Sequence, residues 1–112
     1  MTTTDIGRHA EQIAAEHLRG AGFKIIECNW RTRWCEIDIV ASKASTVYFV
    51  EVKYRKTDNW GDGLDAITHK KHQQMTYAAE LWVESHRWDG DYSLIAISLS
   101  GSPPTIDGKI EL

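Results

Sequence analysis

The sequence has few cysteines, no long apolar run and no excess of positive charge. Its two cysteines, Cys28 and Cys35, cannot build a disulfide framework and do not supply the four ligands of a structural zinc site. No apolar run approaches the ~18 residues that span a bilayer. The first residues carry neither the basic nor the apolar region of a secretory signal. These absences argue against disulfide-stapled and membrane-spanning proteins, and they predict a cytoplasmic location.

What is present is the composition of an ordinary globular domain. The 112 residues are 42% hydrophobic and 26% charged, which predicts one domain over residues 1–112. The net charge of −3 argues against a protein that coats nucleic acid through bulk charge alone. However, residues 24–72 hold nine lysines and arginines against seven acids. Such interleaving is typical either of a solvated surface or of a site where carboxylates hold a metal and bases hold phosphates.

Hydrophobic periodicity predicts an α/β domain, with a central mixed sheet flanked by helices in the order α-β-β-β-α-β. We expect Thr4 or Asp5 to cap the first helix and the glycines at 20 and 22 to stop it. Glu11 falls at the margin of that helix's buried stripe, where its carboxylate could face a cleft. The predicted helices span 6–19 and 68–88, and the strands span 23–27, 35–41, 46–55 and 93–100, with a loop over 59–63 and a final edge strand over 106–112.

The second and third strands carry the informative acids. If residues 42–45 form the turn of an antiparallel hairpin, Asp38 and Glu51 approach one another. Two such carboxylates repel by about a few kcal/mol at contact unless a cation or a proton intervenes. The alternation of side chains predicts two faces on each strand. On the second strand, one face carries Ile37, Ile39 and Ala41, and the other carries Glu36, Asp38 and Val40. On the third strand, one face carries Tyr48, Val50, Val52 and Tyr54, and the other carries Phe49, Glu51, Lys53 and Arg55.

A polar alternation usually marks a solvent-facing side of a strand. Here that interpretation fits poorly, because the acids share their face with Val40 and Phe49. A hard divalent ion such as Mg²⁺ prefers carboxylate, carbonyl and water oxygens. Lys53 is on the same face as Glu51 and could orient a water or neutralise a phosphate oxygen. These groups are the minimum equipment for metal-assisted hydrolysis of a phosphodiester.

The sequence also resembles a known family across nearly its whole length. It is similar to the YraN-like proteins of the restriction-endonuclease-like (PD-(D/E)xK) nuclease superfamily, which are similar in turn to archaeal Holliday-junction resolvases. The matching residues are Gly7, Ala10, Glu11, Ala14, Leu18 and Gly22, then Asn29-Trp30-Arg31, Glu36-Ile37-Asp38-Ile39-Val40, Val50-Glu51-Val52-Lys53-x-Arg55, Gly61 and Lys70.

The resemblance implies a restriction-endonuclease-like fold and a Mg²⁺- or Mn²⁺-dependent DNA endonuclease, acting on branched or structured DNA. It implies that Asp38 and Glu51 are metal ligands, together with the backbone carbonyl of Val52. Glu11 would be a further ligand, directly or through water, and Lys53 would be the catalytic base or a phosphate contact. We expect a homodimer if the protein cuts both strands, since one site handles one phosphodiester.

Other residues are candidates for secondary roles. Gln73 and Tyr77 match a Gln-x-x-x-Tyr motif of RecB-like exonucleases and share a helix face, and Glu36 is a possible accessory acid. Trp30, Trp34 and Trp60 are predicted in or beside loops, where they could stack on unpaired bases. The candidate phosphate contacts are Arg31, Arg33, Arg55, Lys56, Lys70 and Lys71.

Two other functions stay open. The first is a nucleic-acid-binding module of the same fold that no longer cleaves its substrate. The second is a protein-interaction scaffold, which the acidic net charge favours. Binding to DNA at low salt separates these alternatives, because phosphate contacts are strongest there.

Overall fold

The computed structural model describes residues 3–56 and 67–112, with side chains from residue 5 onward. It is an α/β domain with two helices and one five-stranded mixed sheet, in the strand order β1-β2-β3-β4-β5. Only the β3–β4 pair is parallel, and α2 lies between these two strands in the chain. The elements are α1 (Thr3–Gly20), β1 (Lys24–Arg31), β2 (Glu36–Lys43), β3 (Thr46–Arg55), α2 (His69–Ser85), β4 (Asp91–Ser100) and β5 (Thr105–Glu111).

The predicted α/β class and the order of its elements are confirmed. The predicted bounds of β3 agree with the structure, and β5 is the expected edge strand beside β4. The loop predicted over 59–63, with Trp60 and Gly61, lies outside the described residues. No helix in the described part of the chain is both long and apolar enough to cross a membrane.

Helix α1 starts earlier than predicted. It begins at Thr3, so the N-cap prediction is wrong, and Asp5 instead lies in the first turn, where the helix dipole favours an acid. Its buried stripe includes Ala14 and Leu18, as the periodicity indicated. Gly22 adopts a φ of +92°, a conformation that glycine tolerates best, and this ends the helical path before β1.

Strand β1 is longer than its apolar run predicted. The chain continues to pair with β2 as far as Arg31 opposite Glu36, so Trp30 lies in β1, beside the turn that follows this strand. Cys28 is exposed on this strand. Pairing with a neighbouring strand extends β1 where its own hydrophobic pattern has already ended.

The sheet separates two apolar layers. Ile39 and Val50 pack against α1, and Val40 and Phe49 pack against α2 on the opposite face. The residues of α2 that reach this second layer recur every three or four positions, as on one face of a helix: Met75, Ala78, Ala79 and Trp82. Helix α2 ends at Ser85, three residues before the predicted limit.

Candidate active site at the open end of the β2–β3 hairpin

The β2–β3 ladder is regular near its turn and stops partway along the strands. Pairing runs from Lys43 opposite Thr46 to Ile39 opposite Val50. Beyond this last pair, the backbone N–H of Val52 donates to Asp38 Oδ2 at 2.8 Å. A side-chain carboxylate therefore takes the hydrogen bond of a strand amide where β2 leaves β3.

The separation of β2 from β3 shows that the predicted face of Ile37 is wrong. Ile37 was expected on the side of Ile39 and Ala41, but it packs with Val40 in the layer beneath α2. The period of two breaks at Asp38, where β2 leaves β3 and remains paired with β1. Side chains alternate between the two faces only while a strand keeps a regular pleat. The loss of pairing with β3 therefore turns Ile37 to the other face.

Asp38 is a buried acid beside a second acid. Only 8% of its surface is exposed. Burial and the nearby charge of Glu51 raise the pKa of Asp38 from 3.8 to about 7, against the opposing effect of the Val52 hydrogen bond. The ionised form is therefore disfavoured near neutral pH unless a positive charge lies close by.

Two lysines approach Glu51 from different elements. Lys71 Nζ, in the first turn of α2, lies 3.0 Å from Glu51 Oε1, and Lys53 Nζ, on β3 itself, lies 3.8 Å from the same atom. The Glu51 side chain is only 13% exposed, so both ammonium groups act in a partly desolvated region. Lys71, predicted as a phosphate contact, thus neutralises a carboxylate in this structure.

Glu11 reaches the same end of the sheet from α1. Burial raises the pKa of Glu11, a hydrogen bond with the Asn29 side chain lowers it, and the charges of Glu36 and Glu51 raise it again. In the residues described, no group of three or more His, Cys, Asp or Glu side chains is arranged to hold one metal ion.

The donor set at Asp38 and Glu51 fits a hard divalent cation. The carboxylate oxygens are the ligands that Mg²⁺ and Mn²⁺ prefer, and one or two carboxylates with several waters satisfy Mg²⁺. A cation between these acids would oppose both effects that raise the pKa of Asp38, its burial and the nearby charge of Glu51. The hydrogen bond from its N–H to Asp38 holds Val52 beside the two acids. The backbone carbonyl of Val52 was expected to be a further metal ligand beside the same acids.

The six candidate phosphate contacts lie around this end of the sheet or at the start of α2. Strands β1 and β3 run in the same direction, so Arg31, Arg55 and Lys56 all follow the open end of the hairpin. Arg31 forms an exposed ion pair with Glu36 at 3.4 Å. The other members of this group are Arg33 in the β1–β2 turn, and Lys70 and Lys71 in the first turn of α2.

Two residues near the site, Asn29 and Gln74, had no role predicted from the sequence. Asn29 has a φ of +54° and forms a side-chain hydrogen bond with Glu11. An asparagine within a strand could have indicated this position, since asparagine tolerates such a backbone conformation. Gln74, rather than Gln73, lines a cleft with Glu51 and Tyr77. Gln74 follows Lys71 by three residues on α2, and this spacing places the two side chains next to each other on the helix surface.

Comparison with known proteins gives a family. Residues 10–97 match the model described as uncharacterised protein family UPF0102. A UPF0102 protein of Clavibacter michiganensis is 44% identical over 82 residues, covering 73% of this chain and 70% of its own length. One from Stutzerimonas stutzeri is 37% identical over 99 residues, covering 85% and 82%. One from Pseudomonas syringae pv. tomato is 34% identical over 110 residues, covering 96% and 86%.

Proposed function

This chain belongs to the UPF0102 family, and we propose that it is a Mg²⁺- or Mn²⁺-dependent endonuclease that hydrolyses phosphodiester bonds in DNA. The observation that carries the proposal is the buried Asp38 beside Glu51, at the point where β2 separates from β3. A buried acid with a strongly raised pKa at the opening of a sheet is a feature of functional sites. The resemblance to restriction-endonuclease-like nucleases and Holliday-junction resolvases supports the same fold and chemistry.

In the proposed site, Asp38 and Glu51 bind the cation, with the carbonyl of Val52, and Glu11 acts through water. When bound, the cation lowers the pKa of a coordinated water and neutralises charge on the phosphate. The chain's own contribution is positional: the Val52 N–H fixes one oxygen of Asp38, and Asn29 fixes Glu11.

Lys53 is the proposed proton-handling or phosphate-contacting group. Its ammonium lies 3.8 Å from Glu51, within reach of a phosphate that approaches the same carboxylate. In hydrolysis the water oxygen forms a bond to phosphorus, the P–O bond to one sugar oxygen breaks, and that oxygen takes up a proton. A lysine beside the reacting phosphate stabilises the charge that develops during this exchange.

The distribution of charge supports a polyanionic substrate. Although the whole chain carries −3, arginines and lysines follow the open end of the sheet and the start of α2. Contacts of this kind position a nucleic acid through its phosphates without reading its sequence. A homodimer would allow two such sites to cut two strands, as would be needed at a branched junction.

The test is cleavage of a panel of linear, flapped and four-way-junction DNA with Mg²⁺, Mn²⁺ or Ca²⁺. We expect Asp38→Ala and Lys53→Ala each to lower the rate by about 100-fold or more, as loss of a charge-stabilising group does. Asp89→Ala and Lys109→Ala are matched controls, because they remove exposed charges of the same type away from the site. Wild-type rates in both site variants, in a preparation free of contaminating nuclease, would overturn the proposal.

A non-cleaving nucleic-acid-binding module is the second candidate. It is favoured by the ion pair between Lys71 and Glu51, which already neutralises one of the two acids. Gel-shift binding in Ca²⁺ without cleavage in Mg²⁺ or Mn²⁺ would select this candidate. Undetectable binding to DNA even at low salt would instead favour a protein-interaction scaffold.

A further inference from the structure

A cleft of about 260 Å³ lies directly beside Glu51. One wall comes from the turn between β1 and β2, and the other comes from the first half of α2. Glu51 of the proposed active site lines the cleft together with its ion-pair partner Lys71. The remaining lining includes two aromatic rings and an amide, from Trp34, Tyr77 and Gln74.

Trp34 is an exposed indole in an ordered turn. It is 71% exposed, so packing within the described chain does not account for it. The turn is fixed because Thr32 Oγ1 accepts from the N–H groups of Trp34 and Cys35 at 3.1 and 3.3 Å. The Arg33 guanidinium lies 5.3 Å from the centroid of the Trp34 ring, which adds a positive charge beside an aromatic face.

The α2 wall offers a second aromatic group and a hydrogen-bonding group. Tyr77 is 48% exposed, although it lies within two residues of the buried Met75 and Ala78. Gln74 carries both a donor and an acceptor on its amide, the combination that recognises the edge of a base. Two exposed rings and an amide next to a charged carboxylate–lysine pair make a cleft with the chemistry of a nucleobase site.

We propose that this cleft binds one unpaired nucleobase of the DNA, adjacent to the phosphate held at the active site. Stacking on aromatic side chains binds single-stranded bases with little dependence on sequence. A base inside a duplex is stacked between its neighbours and can enter such a cleft only by leaving the helix. The inference rests on the proposed function, and it restricts the substrate to DNA with an unpaired nucleotide beside the cleaved bond.

The test is a binding titration in Ca²⁺ with two DNA substrates of equal length, one carrying a single-stranded flap and one fully paired. Each carries 2-aminopurine, a fluorescent base that is quenched on stacking, at the same position in the sequence, which lies next to the branch in the flapped DNA. We expect Trp34→Ala to weaken binding of the flapped DNA by about tenfold and to abolish the change in quenching. Tyr77→Ala is expected to act in the same direction.

The matched control is Tyr92→Ala, because Tyr92 is 43% exposed but lies on β4, and it does not line the cleft. We expect this variant to bind both substrates as the wild type does. Trp34→Phe should retain part of the preference for the flap, since it keeps an aromatic face.

The possible failures are distinguishable. If the wild type binds and cleaves DNA in a manner that depends on Asp38 but does not prefer the flap, only this inference is overturned. The same holds if Trp34→Ala binds the flap as tightly as the wild type. If the wild type binds neither substrate, the proposed function fails and the inference fails with it.

Discussion

The two ends of the β2–β3 hairpin differ in how the backbone amides of β3 are hydrogen-bonded. At the turn, Ala44 and Ser45 both have positive φ values, of 50° and 68°, and the flanking strands exchange regular backbone hydrogen bonds. At the other end the amide of Val52 bonds to the carboxylate of Asp38. The first end is built for stability. The second end holds Asp38, a buried acid whose ionised form lowers stability, and buried acids with raised pKa values are concentrated at functional sites.

The largest effect is expected from breaking the regular part of the hairpin. Phe49 is 2% exposed and contacts the rings of Trp82 and Tyr92 edge to face. Phe49→Ala should lower the free energy of unfolding by about 3–5 kcal/mol, because it removes buried area and leaves a cavity. Urea denaturation measures this loss.

Glu36→Ala is the control for that comparison, since the Glu36 side chain is 56% exposed at the open end. We expect it to change the free energy of unfolding by less than about 0.5 kcal/mol. Equal losses in the two variants would contradict the distinction between the two ends.

A smaller effect of opposite sign is expected at Asp38. Its pKa rises from 3.8 to about 7 on folding, so the folded protein keeps a proton that the unfolded chain has released between these pH values. Stability should therefore fall as pH rises from 4 to 7, and the full penalty should be present above 7. Asp38→Asn removes this charge while its amide oxygen can still accept from Val52.

We expect Asp38→Asn to match the wild type near pH 4 and to exceed its free energy of unfolding by about 1–3 kcal/mol at pH 8. Urea denaturation in the presence of a metal chelator measures both values. Mg²⁺ added at pH 8 should stabilise the wild type and leave Asp38→Asn unchanged. Parallel pH profiles for the two proteins would show that Asp38 does not carry the penalty.

The smallest effect is expected at the turn. Ser45 has a φ of 68°, in the region that glycine enters without a steric cost. Ser45→Gly should raise the free energy of unfolding by up to about 1 kcal/mol, since two-residue hairpin turns favour glycine. Ser42→Gly, in the paired part of β2, should lower it by about 0.5–1 kcal/mol. Thermal melts of the two variants should therefore move in opposite directions.

Prediction from sequence succeeded where a segment's own pattern was sufficient. The alternation of β3 gave its bounds, and the hydrophobic periodicity gave the order of the helices and strands. It failed where a neighbouring segment decided the outcome. Strand β1 extends to Arg31 because β2 pairs with it, and Ile37 changes face because β2 leaves β3.

The same division applies to the candidate site. The spacing of Asp38, Glu51 and Lys53 on a predicted hairpin was enough to expect that they approach one another. The ion pair of Glu51 with Lys71 and the bond of Glu11 with Asn29 join distant segments, and no local pattern indicates them. Gln74 lines the cleft three residues after Lys71 on α2, whereas the Gln-x-x-x-Tyr motif indicated its neighbour Gln73.

The amino-acid pattern by itself determined the order of the elements, the two apolar layers and the pair of acids on adjacent strands, because side-chain periodicity is a local property of the backbone. Only the tertiary structure decided where the β2–β3 ladder stops, which lysines approach Glu51, and which rings border the adjacent cleft. Those outcomes depend on burial and on charges brought together from separate segments, and burial exists only once the sheet and both helices have assembled.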